Sequence, residues 1–257
     1  IVIGAANGGV WRSYDEGMSW HSVSDDWPVQ SMGALAIDPL DTNIVYAGTG
    51  EANFGQHMFD GGGLMKSTDG GTTWTEVAGA SIPQYARASD IVIDPSNTQT
   101  LYLTIPDGVD DPAKQGIYKS TDGGANWALI LEGRMTDIVL NPKNPSILYT
   151  ASTALGVGGT SARYGVHQSV DGGATWTRLD IGVTDSLMGR TAIAISPSDP
   201  NTLYLSVSKL SGSGAPGTLG IFKTTDGGGS WRKCPVPVDY LLLQGWYDNI
   251  IGVHPAN

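Results

Sequence analysis

The chain has 257 residues, of which 40% are apolar and 15% charged, a composition typical of a folded protein with a sizeable core. Its 25 acidic residues against 14 basic ones give a formal net charge of -11, which disfavours nucleic acid and anionic lipid as partners. A single cysteine, Cys234, excludes an internal disulfide, and 36 glycines with 14 prolines indicate many turns.

The predicted elements begin with two short strands, over IVIGA (1–5) and GGVWRS (8–13). Five related octapeptides follow along the chain, and they read SYDEGMSW, STDGGTTW, STDGGANW, SVDGGATW and TTDGGGSW. They begin at Ser13, Ser67, Ser120, Ser169 and Thr224. The interval of roughly 50 residues is the length of one four-stranded blade of a β-propeller.

A second phrase recurs between the octapeptides, and its copies are ALAIDPLDTNIVYAG, DIVIDPSNTQTLYLT, DIVLNPKNPSILYTA and AIAISPSDPNTLYLS. Each predicts a strand, a Pro/Asp/Asn/Ser turn and a second strand. We therefore expect strands A to D in each blade, with the octapeptide between C and D. The last stretch, NIIGVHPAN, reads as a further A strand at 249–254 and its turn. By pairing with IVIGA, this strand would close a five-bladed ring and seal the sheet edges. The alternative is a piece of a six- or seven-bladed propeller.

The pattern Ser/Thr-x-Asp-x-Gly-x-x-Trp resembles the Asp-box, or BNR repeat, of sialidases, sortilin-type receptors and bacterial xyloglucan hydrolases. The resemblance spans the chain and implies an all-β propeller, which we assign to residues 1–257 as one domain. The box aspartate is expected to accept backbone hydrogen bonds across a tight turn, and the tryptophan to fill space between sheets. These structural residues are Asp15, Asp69, Asp122, Asp171, Asp226, Trp20, Trp74, Trp127, Trp176 and Trp231.

Strand alternation places the boxes on one face and the dissimilar B-to-C and D-to-A loops on the other, where propellers bind ligands. Arg87, Arg134 and Arg190 should begin innermost strands there. They could clamp a carboxylate or sulfate, or instead pair with nearby acids such as Glu132, Asp185 or Asp248. Aromatic residues suited to stacking on sugars or to a protein interface lie in the same loops. They are Trp27, Tyr85, Tyr164, Tyr240, Trp246 and Tyr247.

Catalytic candidates on this face are weak. Glu51 with Asp60 or His57 is one acidic group, and Asp107 with the acids at 110–111 is another, which would more ordinarily be solvated or bind calcium. The family's sialidase Arg-Ile-Pro opening is absent, and no Tyr/Glu pair can be assigned, so we do not expect sialidase activity.

The xyloglucan hydrolases carry a catalytic aspartate in a segment similar to A-R-T-D-I-G-G-A-Y-R. The matching stretch here is IGAANGGVWR, with Asn7 at that position. An amide cannot act as a general acid or base, and these relatives place their second carboxylate in another propeller. The resemblance therefore implies that the chain alone lacks the catalytic pair.

We expect a secreted or periplasmic, bacterial Asp-box propeller that binds a glycan or a protein on its loop face without catalysis, with no cofactor, metal or membrane span. One alternative is a module of a xyloglucanase-type glycoside hydrolase, completed by further blades or domains of a parent chain. The other is a scaffold subunit that docks a partner through the arginine arc.

Overall fold

The computed structural model describes residues 1–52, 58–77, 79–153, 164–210 and 217–255. Within these ranges the chain forms β-strands and three short 3₁₀ turns, and no α-helix. Its contacts divide it into two compact units, the first unit Ile1–Glu132 and the second unit Gly133–Asn257.

The first unit contains three antiparallel sheets, which are blades 1 to 3. Its strands are β1 (Val2–Ala5), β2 (Gly9–Arg12), β3 (His21–Ser22), β4 (Met32–Ile37), β5 (Val45–Thr49), β6 (Leu64–Ser67), β7 (Thr75–Val77), β8 (Asp90–Ile93), β9 (Leu101–Ile105), β10 (Gly116–Ser120) and β11 (Ala128–Glu132). Blade 1 has the order β1-β2-β3, blade 2 β4-β5-β6-β7 and blade 3 β8-β9-β10-β11. Each strand therefore pairs with its neighbour in the chain.

The second unit contains two four-stranded sheets, blades 4 and 5. Its strands are β12 (Met135–Leu140), β13 (Leu148–Ser152), β14 (Val166–Ser169), β15 (Thr177–Leu179), β16 (Met188–Ile195), β17 (Leu203–Lys209), β18 (Thr218–Thr224) and β19 (Arg232–Cys234). Blade 4 has the order β12-β13-β14-β15 and blade 5 β16-β17-β18-β19. The repeated four-stranded meander confirms the propeller fold predicted from the octapeptides.

The strand predicted at 249–254 is not formed, and that prediction was wrong. Residues 249–255 belong to no strand, and blade 1 has three strands. Asn249 is instead fixed by its side chain, whose Nδ2 donates to the carbonyls of Arg190 over 2.7 Å and Ser206 over 2.8 Å. Ile250 is 85% exposed. The assignment of residues 1–257 to one domain stays a prediction.

The second strand of each four-stranded blade forms the core. Strands β5, β9 and β13 are buried at every position. In the first unit Tyr46, Leu64 and Leu103 belong to one apolar cluster, and in the second Tyr149 and Leu205 belong to another.

The Asp-boxes lie at one end of each blade, which we call the box end. There the fourth residue of the box donates its N–H to the A-to-B turn of the same blade, as in Gly70 to the Asn43 carbonyl over 2.8 Å and Gly227 to Asn201 over 2.9 Å. The B-to-C and D-to-A connections therefore emerge at the opposite end, the loop end, as strand alternation predicts.

Box-end contacts also join adjacent blades. The Tyr46 hydroxyl of blade 2 donates to the carbonyl of Gly123 in the blade 3 box over 3.0 Å. In the second unit the Tyr149 hydroxyl donates to Gly227 over the same distance. Because both tyrosines are buried, these bonds fix the spacing of adjacent sheets.

Candidate ligand-binding face

The segment 83–88 at the loop end of the first unit is held by backbone pairing on two sides. The N–H of Gly61, in the B-to-C loop of blade 2, donates to the carbonyl of Tyr85 over 3.3 Å. The N–H of Arg87 donates to the carbonyl of Asp107, in the B-to-C loop of blade 3, over 3.0 Å. This D-to-A segment therefore links the loops of two adjacent blades.

The Arg87 side chain reinforces the same junction, in a cluster with Asp60 and Asp107 that we call the Arg87 clamp. Nη2 of Arg87 lies 2.6 Å from Oδ1 of Asp60, and Nη1 lies 3.3 Å from Oδ2 of Asp107. The arginine and Asp107 side chains are 15% and 16% exposed, whereas Asp60 is 54% exposed. Two carboxylates therefore neutralise this guanidinium within the protein.

Tyr85 is held in a strained backbone conformation beside the clamp. Its φ is 66°, in the left-handed region, which costs a residue with a Cβ roughly 1 kcal/mol or more. Tyr85 is nevertheless 48% exposed. Phe59, two positions before Gly61, is 45% exposed. The junction therefore keeps two aromatic side chains exposed at the loop end, where a flat ligand can stack on them.

The catalytic candidates differ in burial and in their partners. Glu51 is only 8% exposed, and its N–H donates to the Phe59 carbonyl over 3.0 Å, so that it lies beneath the loop. Asp60 is engaged by Arg87. His57 lies outside the described residues. Asn7 is exposed in the turn between β1 and β2, at the loop end, which is where the resemblance places the hydrolase aspartate.

The predicted second acidic group has structural contacts at two of its three positions. Asp107 belongs to the Arg87 clamp. The Asp111 side chain caps the short turn Pro112–Lys114 by accepting from the Ala113 N–H over 3.0 Å. In the described ranges no group of three His, Cys, Asp or Glu residues is arranged to hold a metal ion.

The second unit contains the other two arginines of the predicted arc. Arg190 lies in a bulge of β16, where the register with β17 shifts, and its Nη1 donates to the Tyr247 carbonyl over 3.1 Å. Burial lowers the pKa of Arg190 below its usual range, while the carboxylates of Asp137 and Asp248 oppose the shift. Arg134 precedes β12, and its carbonyl accepts from the Thr153 N–H over 3.1 Å. The guanidinium of Arg190, like that of Arg87, therefore donates hydrogen bonds to groups within the protein.

The remaining aromatic candidates differ in accessibility. Trp27 packs edge-on against Trp74, with ring centroids 5.4 Å apart, and contributes to a core cluster. Trp246 and Tyr247 also pack edge-on at 5.4 Å and are half-buried. Tyr240 is 43% exposed. Tyr164 is half-buried, and its carbonyl accepts from Arg178 over 2.8 Å.

The five box carboxylates are consumed by their own turns. In blade 1, Oδ1 of Asp15 accepts from the Ser13 hydroxyl and the Ser19 N–H, each over 2.8 Å, and Oδ2 accepts from the Ser19 hydroxyl over 2.6 Å. Equivalent bonds recur in the other four boxes, with the Asn126 side-chain amide in place of the hydroxyl donor in blade 3.

The hydrogen bond from the seventh box residue is the main cause of a low pKa in every box. Together with the other bonds of the turn, it lowers the pKa of Asp15, Asp122, Asp171 and Asp226 from 3.8 to about 2, and the pKa of Asp69 likewise falls well below its usual range. These groups therefore stay ionised as turn acceptors.

The box tryptophans immediately precede their D strands. In the first unit each indole N–H donates to the glycine carbonyl three residues before it, at 3.1 Å from Trp20, 3.2 Å from Trp74 and 2.9 Å from Trp127. The indole nitrogens of Trp176 and Trp231 have no partner among the described residues. The indole N–H therefore has a hydrogen-bond partner in three of the five boxes, those of the first unit.

Sequence reasoning missed Phe59 and the pairing of Arg87 with Asp60 and Asp107. Phe59 lies in the B-to-C loop of blade 2, whose sequence does not recur in the other blades, so no repeated pattern identifies it. The spacing of opposite charges offered a weak signal for the ion pairs, but only the folded loops bring these residues together.

No helix in the described ranges is long and apolar enough to cross a membrane.

Comparison with known proteins identifies relatives of this chain. Residues 8–157 match the Sortilin-Vps10 family, described as sortilin, neurotensin receptor 3. A xyloglucanase of Paenibacillus sp is 30% identical over 259 residues, which covers 88% of this chain and 23% of that protein. Xyloglucanase Xgh74A of Acetivibrio thermocellus is 34% identical over 149 residues, which covers 48% of this chain and 16% of that protein.

Solved structures share the fold. An ancestral GH74 enzyme superposes with a TM-score of 0.70 at 19% identity, covering 91% of this chain and 29% of that one. The GH74 enzyme of Niastella koreensis gives a TM-score of 0.64 at 23% identity, covering 88% of this chain and 34% of that one. The chain therefore spans about a quarter to a third of the length of these enzymes.

Proposed function

For this chain, which belongs to the Sortilin-Vps10 family, we propose the function of an Asp-box propeller module. The module binds a xyloglucan-type β-glucan at its loop end and does not cleave it unaided. The similarity to xyloglucanases over 88% of the chain supports the choice of ligand. We further propose that the protein is bacterial and acts outside the cytoplasm, where such a polysaccharide is found.

The observation that carries the proposal is the backbone of Tyr85. A left-handed tyrosine is unfavourable, and it persists here because the Gly61 bridge and the Arg87 clamp fix both flanks. Strain of this kind is characteristic of binding sites whose residues are positioned before the ligand arrives. An exposed, pre-positioned ring suits the apolar C–H face of a glucose unit.

The positions of the candidate acids support the proposed lack of catalysis. Glycoside hydrolysis requires two carboxyl groups on opposite sides of the scissile bond. Asn7 stands where the resemblance expects one of them, Glu51 is buried, and Asp60 is held by Arg87. We therefore expect the isolated chain to bind without releasing sugar.

The proposal is tested by titrating the chain with xyloglucan oligosaccharides in a calorimeter. Replacing Tyr85→Ala should weaken binding about 5- to 30-fold, corresponding to roughly 1–2 kcal/mol of lost stacking. Tyr14→Ala is the matched control, since Tyr14 is 61% exposed in an Asp-box at the opposite end and should leave affinity unchanged. Equal affinity of both variants and the wild type would refute the site.

The second candidate function is a part of a complete xyloglucanase, in which further blades of the parent protein supply the missing carboxylates. The same sequence similarity favours it, because the matched segment makes up only 23% and 16% of the two xyloglucanases and 29% of the ancestral GH74 enzyme. Release of reducing sugar by the isolated chain would contradict binding alone. Release only after addition of the remaining parent sequence would favour this second function.

A further inference from the structure

A cavity of about 260 Å³ opens at the loop end of blade 5, wholly within the second unit. Its walls are Leu219 and the segment 236–238, which are apolar, and its charged groups are Lys209, Lys233 and Asp239. The volume lies just below the roughly 300 Å³ at which ligand pockets usually begin. Its occupant is therefore small, about the size of one sugar ring.

Asp239 contributes to the loop as well as to the cavity. Its Oδ1 accepts from the N–H and the hydroxyl of Thr218, each over 2.8 Å, and from the Leu242 N–H over 3.0 Å. These bonds, with Lys209 nearby, lower its pKa, so the group is an anion that fastens the loop. Its Oδ2 makes none of these bonds and lies close to Gly217, while Asp239 as a residue lines the cavity.

Lys233 approaches the cavity over a glycine. A Cβ on Gly220 would lie 2.6 Å from the Cε of Lys233, so the lysine stem passes close over this glycine and would have to move if the residue carried a Cβ. The Nζ lies 6.0 Å from the centre of the Phe222 ring, which lines the stem on another side. Lys209, at the end of β17, lines the same cavity, so the lining carries two lysines and one aspartate and has a net positive charge on a chain of net charge -11.

Blade 4 provides an internal comparison at the matching position. There Arg178 passes over Gly165, beside a cavity of about 380 Å³. The Nε of Arg178 donates to the Tyr164 carbonyl over 2.8 Å, and no lysine lines that cavity. The blade 5 cavity differs by its two ammonium groups.

We propose that the Lys209–Lys233 cavity binds a single uronic acid residue. The two ammonium groups receive the sugar carboxylate, the Oδ2 of Asp239 accepts a hydroxyl, and the apolar segment 236–238 covers a C–H face of the ring. A carboxylate alone would leave the Asp239 acceptor and the apolar wall unused. This site for a charged sugar lies in the second unit and is independent of the neutral glucan proposed for the first.

Titration of the 257-residue chain with methyl β-glucuronide, followed by NMR shifts of lysine side chains, tests the proposal. We expect a millimolar dissociation constant for methyl β-glucuronide, and its affinity should fall in high salt. Methyl β-glucoside and acetate should each bind at least tenfold more weakly. Lys233→Met and Lys209→Met should each reduce affinity at least tenfold, because methionine keeps the stem and removes the charge. Arg178→Met in the blade 4 cavity is the matched control and should change nothing.

Equal affinity for methyl β-glucoside would overturn the role of the lysines, and equal affinity for acetate would overturn recognition of a sugar. Unchanged binding by both lysine variants, or no binding at all, would overturn the site. Tighter binding of a Glu-containing peptide than of the uronide would assign the cavity to a protein partner and also overturn the proposal. Tyr85→Ala should leave uronide binding intact, so failure of glucan binding is distinguishable from failure here.

Discussion

Breaking the Arg87 clamp at Asp107 should destabilise the protein more than breaking it at Asp60, although the Asp60 contact is shorter. The Arg87 to Asp60 distance is 2.6 Å and the Arg87 to Asp107 distance is 3.3 Å, but Asp60 is 54% exposed and Asp107 only 16%. Distance and burial therefore predict opposite orders, and the magnitudes decide between them.

At 3.3 Å and an effective dielectric constant of about 20, the attraction is roughly 5 kcal/mol, whereas at 2.6 Å in water it is roughly 1.6 kcal/mol. Desolvation and side-chain ordering reduce both values. We expect Asp107→Asn to lower the free energy of unfolding by about 2 kcal/mol, since it leaves a poorly solvated guanidinium less compensated. Asp60→Asn should cost under about 1 kcal/mol, as exposed pairs do.

The assay is urea unfolding followed by tryptophan fluorescence, for each single variant and for each combined with Arg87→Met. The double-mutant cycle isolates the coupling between Arg87 and each acid. Salt at 1 M should remove most of the Asp60 coupling and leave most of the Asp107 coupling, because buried charges are screened less. A coupling to Asp60 equal to or larger than that to Asp107 would refute the argument that burial outweighs distance.

Three further predictions concern the scaffold. The folded pKa of Asp122 is about 2, below its ordinary value, so its contribution to stability should be complete above pH 4 and lost as the pH falls toward 2; melting temperatures of the wild type and Asp122→Asn should converge over that range. Tyr149→Phe should cost about 1 kcal/mol in urea unfolding, because it removes a buried hydrogen bond to the blade 5 box, and an unchanged midpoint would contradict this. Gly228→Ala should destabilise more than Gly182→Ala: both have positive φ, but only the first places a Cβ 2.7 Å from Leu179, so equal effects would argue against the packing explanation.

The boxes and blades were predictable because their chemistry is local. Asp15 bonds to residues two and four positions away, and the same eight-residue pattern repeats in each box. The strands between the boxes carry equally local signals of alternating apolar residues and turn formers. A pattern confined to one turn can be read without knowing the fold.

The candidate site was only partly predictable, because its contacts join distant loops. Arg87 meets Asp60 and Asp107 across 27 and 20 residues, and Asp60 alone looked as suitable for catalysis as for an ion pair. The positive φ of Tyr85 is imposed by pairing with Gly61 and leaves no trace in composition. The expected strand at 249–254 failed for a related reason, since Asn249 finds its partners in Arg190 and Ser206.

The two ends of the blades differ in how their contacts are organised. At the box end, carboxylates, hydroxyls and carbonyls are joined to one another, and Tyr46 and Tyr149 link adjacent blades through box carbonyls. These contacts depend on a repeated sequence, so a change in one box removes a bond that its blade needs. The loop end contains unlike segments whose close contacts, such as the Arg87 clamp, are private to one junction. We therefore expect that Tyr85, Phe59 or Lys233 can be substituted without loss of the sheet arrangement, because none of these residues contributes to the box-end hydrogen bonds.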